Sequence, residues 1–410
     1  MNKNLINPIK WVLVERILQI LIALLFNIIL ARYLGVEQFG ILQAALSTVA
    51  VFSSIGLLCS AEVVSPLYSQ NTEKYSTIFE QVFIIRLCLS VIAVAFISFY
   101  LYFGNHQNVF LMICLIVGIL FQEPFNIFGL YFQVEGKQRI FSKIRLYGIF
   151  LKLSIAIIFI QLEVDAEAFG LPYLFEYIFV AFLLFFGFKK IKKTSFFIPK
   201  LSFIKNILLK GLVFGVGIAA MIAMQKLDRI VLNVLEKNIE LGVYSAAIQI
   251  AENWFLMSSI LIQAIVAKFI YQMKNSQANN NIIKLLFMFL LISVIAAIVG
   301  LVLGEPVMNL LYGNKFEGSG YYLSFLLFVA IFVFSDAVLT TKILKNKDGY
   351  AFSLKWIISL IAVLIYIFIS IKYFNKFKVE YIPAIGYGVA MLFSLVYFLK
   401  KKNEDYINNL

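Results

Sequence analysis

The chain has 410 residues, 62% hydrophobic and 14% charged, with a mean hydropathy of +0.92. Soluble globular chains carry roughly 45–50% apolar and about 25% charged residues, so a water-surrounded globule is excluded. The formal charge of +13 does not signal nucleic acid, because the lysines sit in short connectors between apolar runs, where positive charge reports membrane topology.

A spanning helix needs about 20 mostly apolar residues. Read in chain order, the runs 11–33, 38–62, 78–103, 108–133, 142–161, 167–188, 206–234, 239–270, 283–303, 320–344, 352–373 and 381–400 meet that requirement. The expected fold is an all-α polytopic membrane protein of about 12 spans. The first run begins near Trp11 and lacks a small-residue cleavage site, so it is expected to stay as a membrane helix. Cys59, Cys88 and Cys114 fall inside apolar runs without paired spacing, and the one histidine, His106, lies in a short connector. No disulfide framework, metal site or cofactor is expected.

Basic residues alternate between connectors. One set holds 18, including Lys137, Arg139, Lys189, Lys190, Lys345 and Lys400, and the opposite set holds 4, Lys237, Lys315, Lys376 and Lys378. The positive-inside rule then places both termini in the cytoplasm, which requires an even number of spans. The basic connector 189–205 lies at the midpoint, so an N-terminal six-helix bundle is expected over 1–188 and a C-terminal one over 206–410.

An internal repeat supports this division. Placing Gly40 over Gly242 aligns NIILARYLGVEQFGILQAAL with RIVLNVLEKNIELGVYSAAI without a gap, and SVIAVAF from Ser90 echoes SVIAAIV from Ser293. Six spans per repeat is even, so the halves are expected to be related by a pseudo-two-fold axis along the membrane normal.

Ionisable residues occur where lipid would penalise them: Arg16, Arg86, Glu123, Lys152, Glu176, Lys226, Asp228, Arg229, Glu252 and Asp336. At roughly 2.5–3.5 kcal/mol for each central charge, the set would cost on the order of 25–35 kcal/mol facing lipid. A shared polar interior is the economical expectation. Arg16, Gln19, Ala23 and Asn27 share one helical face; Gln249, Glu252, Leu256, Ser259 and Gln263 form a comparable stripe, and Lys226, Arg229 and Asn233 another. Polar stripes also glue membrane helices together, and Gly211 and Gly215 have the spacing of a close helix approach. No GxxxxGK[ST] phosphate loop occurs, so ATP hydrolysis by the chain is not expected.

ARYLGVEQFGILQAALS, from Ala31 to Ser47, resembles the first-loop signature of Wzx-type flippases for O-antigen and capsule repeat units, within the multidrug/oligosaccharidyl-lipid/polysaccharide exporter (MOP) superfamily. LDRIVLNVLEKNIELGVYSAAIQIAE, from Leu227, resembles the seventh-helix region of that family, and YFQVEGKQRIFS, from Tyr131, its loop after the fourth helix. One departure is that the usual glycine after the seventh helix is replaced around Glu236-Lys237. The resemblance implies two six-helix bundles around a central cavity, as in MATE transporters. It also implies translocation of an undecaprenyl-diphosphate-linked oligosaccharide across the bacterial plasma membrane by alternating access, without covalent chemistry.

On that reading Arg16, Arg86, Lys152, Lys226 and Arg229 are expected to meet a diphosphate or anionic sugar, since Arg can pair bidentately with its oxygens and Lys acts as a point charge. Glu123, Glu176, Asp228, Glu252 and Asp336 are candidates for proton or sodium coupling. Lys152 could instead pair with Glu176, and Arg86 with Glu123. Expected partners are the lipid-linked oligosaccharide, membrane lipids, and the polymerase and chain-length proteins of the same assembly line, with no nucleic acid. Three rival readings remain: a small-molecule antiporter of the same superfamily, a membrane glycosyltransferase or polymerase, and a non-transporting component of polysaccharide assembly. Short outer connectors count against the enzyme.

Overall fold

The computed structural model describes residues 3–59, 61–70, 77–103, 108–192, 199–374 and 377–407. Among them every regular element is helical. Chain order runs α1 (Lys3–Ser53), α2 (Ala61–Gln70), α3 (Ile78–Phe103), α4 (Val109–Val134), α5 (Gln138–Gln161), α6 (Gly170–Ile191) and α7 (Leu201–Val234). It continues with α8 (Asn238–Val266), α9 (Asn275–Tyr312), α10 (Ser319–Lys345), α11 (Gly349–Ile369) and α12 (Tyr381–Ile407).

Among the described residues 11 stretches are long and apolar enough to cross a bilayer. The first, Ile17–Ser69, contains Gly35 at φ 76° and ψ 179°, where α1 bends. Only glycine enters that conformation without a Cβ clash. Dividing the first stretch there adds one rod and accounts for the expected twelve. The chain is a multi-pass membrane protein.

Four connectors end their helices with the same device. After α4, α5, α7 and α10 a left-handed residue turns the chain, and the next amide bonds back five residues: Lys137 to Phe132, Val164 to Phe159, Lys237 to Leu232 and Asp348 to Ile343. This is the Schellman ending, in which a left-handed residue lets the last amides reach carbonyls the helix leaves open. Gly136 fills the first of these positions, but Glu163, Glu236 and Lys347 fill the others, at φ 52°, 56° and 53°. A non-glycine residue there costs roughly 1–2 kcal/mol. The geometry at Glu236 is therefore the one a glycine would adopt, kept at a local energetic cost.

The chain forms two compact units, one including Leu34–Gln43 and Ala220–Leu410, the other Lys10–Tyr33 and Ala44–Ala219. The second unit has an aromatic core. Phe79, Phe128, Phe132 and Phe188 are fully buried, with the rings of Phe128 and Phe188 stacked at 4.6 Å and Tyr131 edge-on to Phe188 at 4.8 Å. Part of the phenylalanine that a hydropathy reading would turn to lipid is thus core, while Phe96, Phe99 and Phe103 are exposed. Gly211 and Gly215 meet the turn Ser54–Cys59 at backbone distance; a Cβ on Gly215 would lie 2.9 Å from the Leu58 Cα.

In the first unit the short segment Leu34–Gln43 packs on helices from the far end of the sequence. Phe39 is fully buried between Tyr312 and Phe316, with centroid separations of 6.4 and 6.0 Å. Gly40 lies on Gly242, where a Cβ would come within 2.8 Å of the Gly242 nitrogen, and a Cβ on Gly242 would strike the Val36 carbonyl. The two glycines that the repeat superimposes are therefore in contact. Glu37 accepts from Asn238 at 3.1 Å and Gln43 from Gln249 at 3.1 Å, pinning both ends of the segment.

Candidate functional site

Much of the charge inside each unit is paired within that unit. In the unit containing α3 to α6, Arg86 on α3 is buried and donates to the Cys59 carbonyl through Nε at 3.1 Å and Nη2 at 2.5 Å, and to the Glu123 carbonyl at 3.3 Å. Its fork closes the end of the Ser54–Cys59 turn. Lys152 on α5 reaches Glu176 on α6 at 2.7 Å, and its ammonium lies over the rings of Phe26 and Tyr173 at 4.8 and 4.7 Å. Glu123 on α4 is buried against Gly56, and its Oε2 has no hydrogen-bond partner among the described residues. The side chain of Arg16 lies outside the described residues.

The unit containing α8 to α12 brings the remaining candidates together. Glu252 on α8 lies between two cations of α7, Lys226 at 2.9 Å and Arg229 at 2.5 Å. Arg229 also contacts Asp228 at 3.2 Å, and Asp228 accepts from the Tyr244 hydroxyl at 2.7 Å. Asp228 and Arg229 are buried, whereas Lys226 and Glu252 keep 22% and 27% of their side-chain exposure, so this outer pair is the accessible edge of the network. On α10, Asp336 binds Lys355 of α11 at 2.9 Å and accepts from Ser394 of α12 at 2.6 Å.

Both pairs border one cavity of about 480 Å³. Its walls are Met221, Gln225 and Lys226 of α7; Glu252, Phe255, Leu256, Ser259 and Gln263 of α8; Asp336 and Thr340 of α10; Phe352, Lys355 and Trp356 of α11; and Tyr387 of α12. Four of the five residues in the polar stripe expected on the eighth span face it; the fifth, Gln249, is spent on Gln43. Gln225 donates to the Tyr387 hydroxyl at 2.9 Å, and Tyr387 stands edge-on to Phe255 at 5.5 Å. Ligand cavities of roughly 300–1,000 Å³ with apolar walls and a few placed polar groups have this character.

Lys355 is absent from the expected set. It is fully buried, yet lies only six residues beyond the start of α11, where a sequence reading places it at the interface. Lys342 was missed for the same reason: also fully buried, it binds Asp405 at 2.6 Å and Asn279 at 2.8 Å. The signal available was a lysine inside an apolar run. What it lacked was the partner, which lies on another helix: Asp336 on α10 for Lys355, and Asn279 on α9 and Asp405 on α12 for Lys342.

The sequence profile of the polysaccharide biosynthesis protein family matches residues 7–267. The chain belongs to that family. No curated protein matches it significantly. Among solved structures, this polysaccharide biosynthesis protein is similar to an inward-facing multidrug resistance MATE family transporter of the MOP superfamily, with a TM-score of 0.68, 14% identity, and 95% of each chain covered. It is also similar to the lipid II flippase MurJ in an inward closed conformation, with a TM-score of 0.63, 15% identity, and 96% and 90% of the two chains covered. A third similar structure is a MOP superfamily transporter from Pyrococcus furiosus, with a TM-score of 0.59, 14% identity, and 96% and 93% coverage. The polysaccharide biosynthesis protein thus has the MOP transporter fold, as the resemblance implied.

Proposed function

We propose that this protein is a flippase that carries an undecaprenyl-diphosphate-linked oligosaccharide, an O-antigen or capsule repeat unit, across the bacterial plasma membrane, with both termini cytoplasmic. The observation that carries the reading is a cavity with largely apolar walls and two ion pairs in its lining, inside a membrane-spanning helical unit of a polysaccharide biosynthesis protein. Charged groups at membrane depth are costly, and those that face a cavity mark a pathway for polar cargo. The glycan and its diphosphate cross within the protein while the polyprenyl tail stays in lipid. Alternating access exposes the polar interior first to one face and then to the other, and no bond is made or broken.

Lys226 and Glu252, at the accessible edge of their network, meet the travelling head. Arg229 and Asp228 hold that edge in place from behind, and Asp336 with Lys355 sets the opposite wall. Arg86 and Lys152 stiffen the other unit, and Glu123, with one carboxylate oxygen unpartnered among the described residues, is its best placed group for ion coupling.

Reconstituted vesicles test the proposal. Lipid-linked sugar added to one leaflet becomes accessible to a membrane-impermeant glycosidase or lectin on the other, at a rate set by the protein. Unchanged accessibility over empty vesicles, together with proton- or sodium-driven movement of a small organic cation, would favour the antiporter reading.

A further inference from the structure

The charge around the cavity restricts which part of the cargo it can take. Four charged side chains line it: Lys226 and Lys355 are cationic, Glu252 and Asp336 anionic. Each cation is already bonded to an anion of the same wall, at 2.9 Å in both cases. Behind them Arg229 and Asp228 add one charge of each sign and bond to each other at 3.2 Å. The lining has no surplus of positive charge. A diphosphate drawn in would meet two carboxylates as closely as two ammonium groups, with its hydration lost and nothing gained in return.

The remaining lining suits a different group. Gln225, Ser259 and Tyr387 offer donors and acceptors of both kinds, and a carboxylate accepts from several hydroxyls at once. Phe255, Trp356 and Tyr387 add flat apolar surface beside these polar groups, the combination that fits a pyranose, with its C–H faces and hydroxyl rim.

We propose that the cavity among α7, α8, α10, α11 and α12 holds the glycan of the lipid-linked cargo, in an uncharged or zwitterionic stretch of one or two sugars, and excludes its diphosphate. The inference rests on the flippase reading and narrows it.

The experiment places p-benzoylphenylalanine at Leu256, which lines the cavity and is 52% exposed. Membranes from cells labelled with radioactive sugar are illuminated and the protein is recovered. Mild acid then hydrolyses the sugar–phosphate bond, leaving glycan and polyprenyl diphosphate as separate pieces. The expected result is an adduct that keeps its radioactive sugar after acid. An adduct that loses the sugar and retains the polyprenyl diphosphate overturns the proposal. So does the lack of any adduct in membranes where the Leu256 variant still flips cargo.

Tyr387→Phe supplies an independent reading. It preserves the ring contact with Phe255 and removes the hydroxyl that accepts from Gln225. Flipping by well-folded Tyr387→Phe should fall by about tenfold, as expected for losing a buried hydrogen-bonding group, with its salt dependence unchanged. A normal rate overturns the glycan assignment. Failure of the unaltered chain to flip any lipid-linked sugar would remove the parent reading as well, and that control separates the two failures.

Discussion

Neutralising Asp336 leaves Lys355 as a fully buried ammonium without its counter-charge. The pair is 2.9 Å apart, Lys355 is fully buried, and the carboxylate also accepts from Ser394 at 2.6 Å. Breaking a buried pair from one side costs about 3–5 kcal/mol, most of it from the charge left behind, whereas removing both charges is often neutral or stabilising by about 1–4 kcal/mol. Asp336→Asn and Lys355→Met should therefore each lower the melting temperature of the purified protein in detergent, by the largest margin of any conservative change in this unit. Asp336→Asn/Lys355→Met should recover most of the loss. Both single variants keep side-chain volume, so cavity formation contributes little and the double-mutant cycle isolates the pair. The cation over the Trp356 ring, at 4.4 Å, adds a smaller share that Lys355→Met also removes. Single variants as stable as the parent, or a double variant worse than either, would refute the claim that Asp336 is first of all the partner of Lys355.

Three further outcomes follow from particular contacts. Glu236→Gly relieves a left-handed glutamate at φ 56° and should stabilise the protein by about 0.5–1 kcal/mol, seen as a raised melting temperature, after the greater chain entropy of glycine offsets part of the gain. Gly242→Val pushes Cβ into the Val36 carbonyl and should part the two glycines, so a disulfide between Glu37→Cys and Asn238→Cys should form readily in the parent background and poorly beside it. Lys345→Met removes donors to the Ile270 and Met273 carbonyls, at 3.0 and 2.5 Å, and should cost about 1.5–3 kcal/mol, read as faster amide exchange across Ala267–Tyr271.

The sequence alone determined the solvent, the number of crossings, the family and the identity of most buried charges. The family was legible through the resemblance of short motifs such as ARYLGVEQFGILQAALS; the rest depends on composition and periodicity, because about 20 apolar residues must cover the hydrocarbon core and basic connectors sort to one side. The α8 stripe of Glu252, Leu256, Ser259 and Gln263 was legible because residues three and four apart share a helical face. Which charge meets which was not legible. Lys355 lies 19 positions from Asp336, and Lys342 lies 63 from Asp405. Such partners are selected by helix packing, because an ion pair at membrane depth forms wherever the fold brings the opposite charge within reach. Only the tertiary structure, therefore, turned a roll of intramembrane cations into a charge-balanced cavity and laid Gly40 on Gly242.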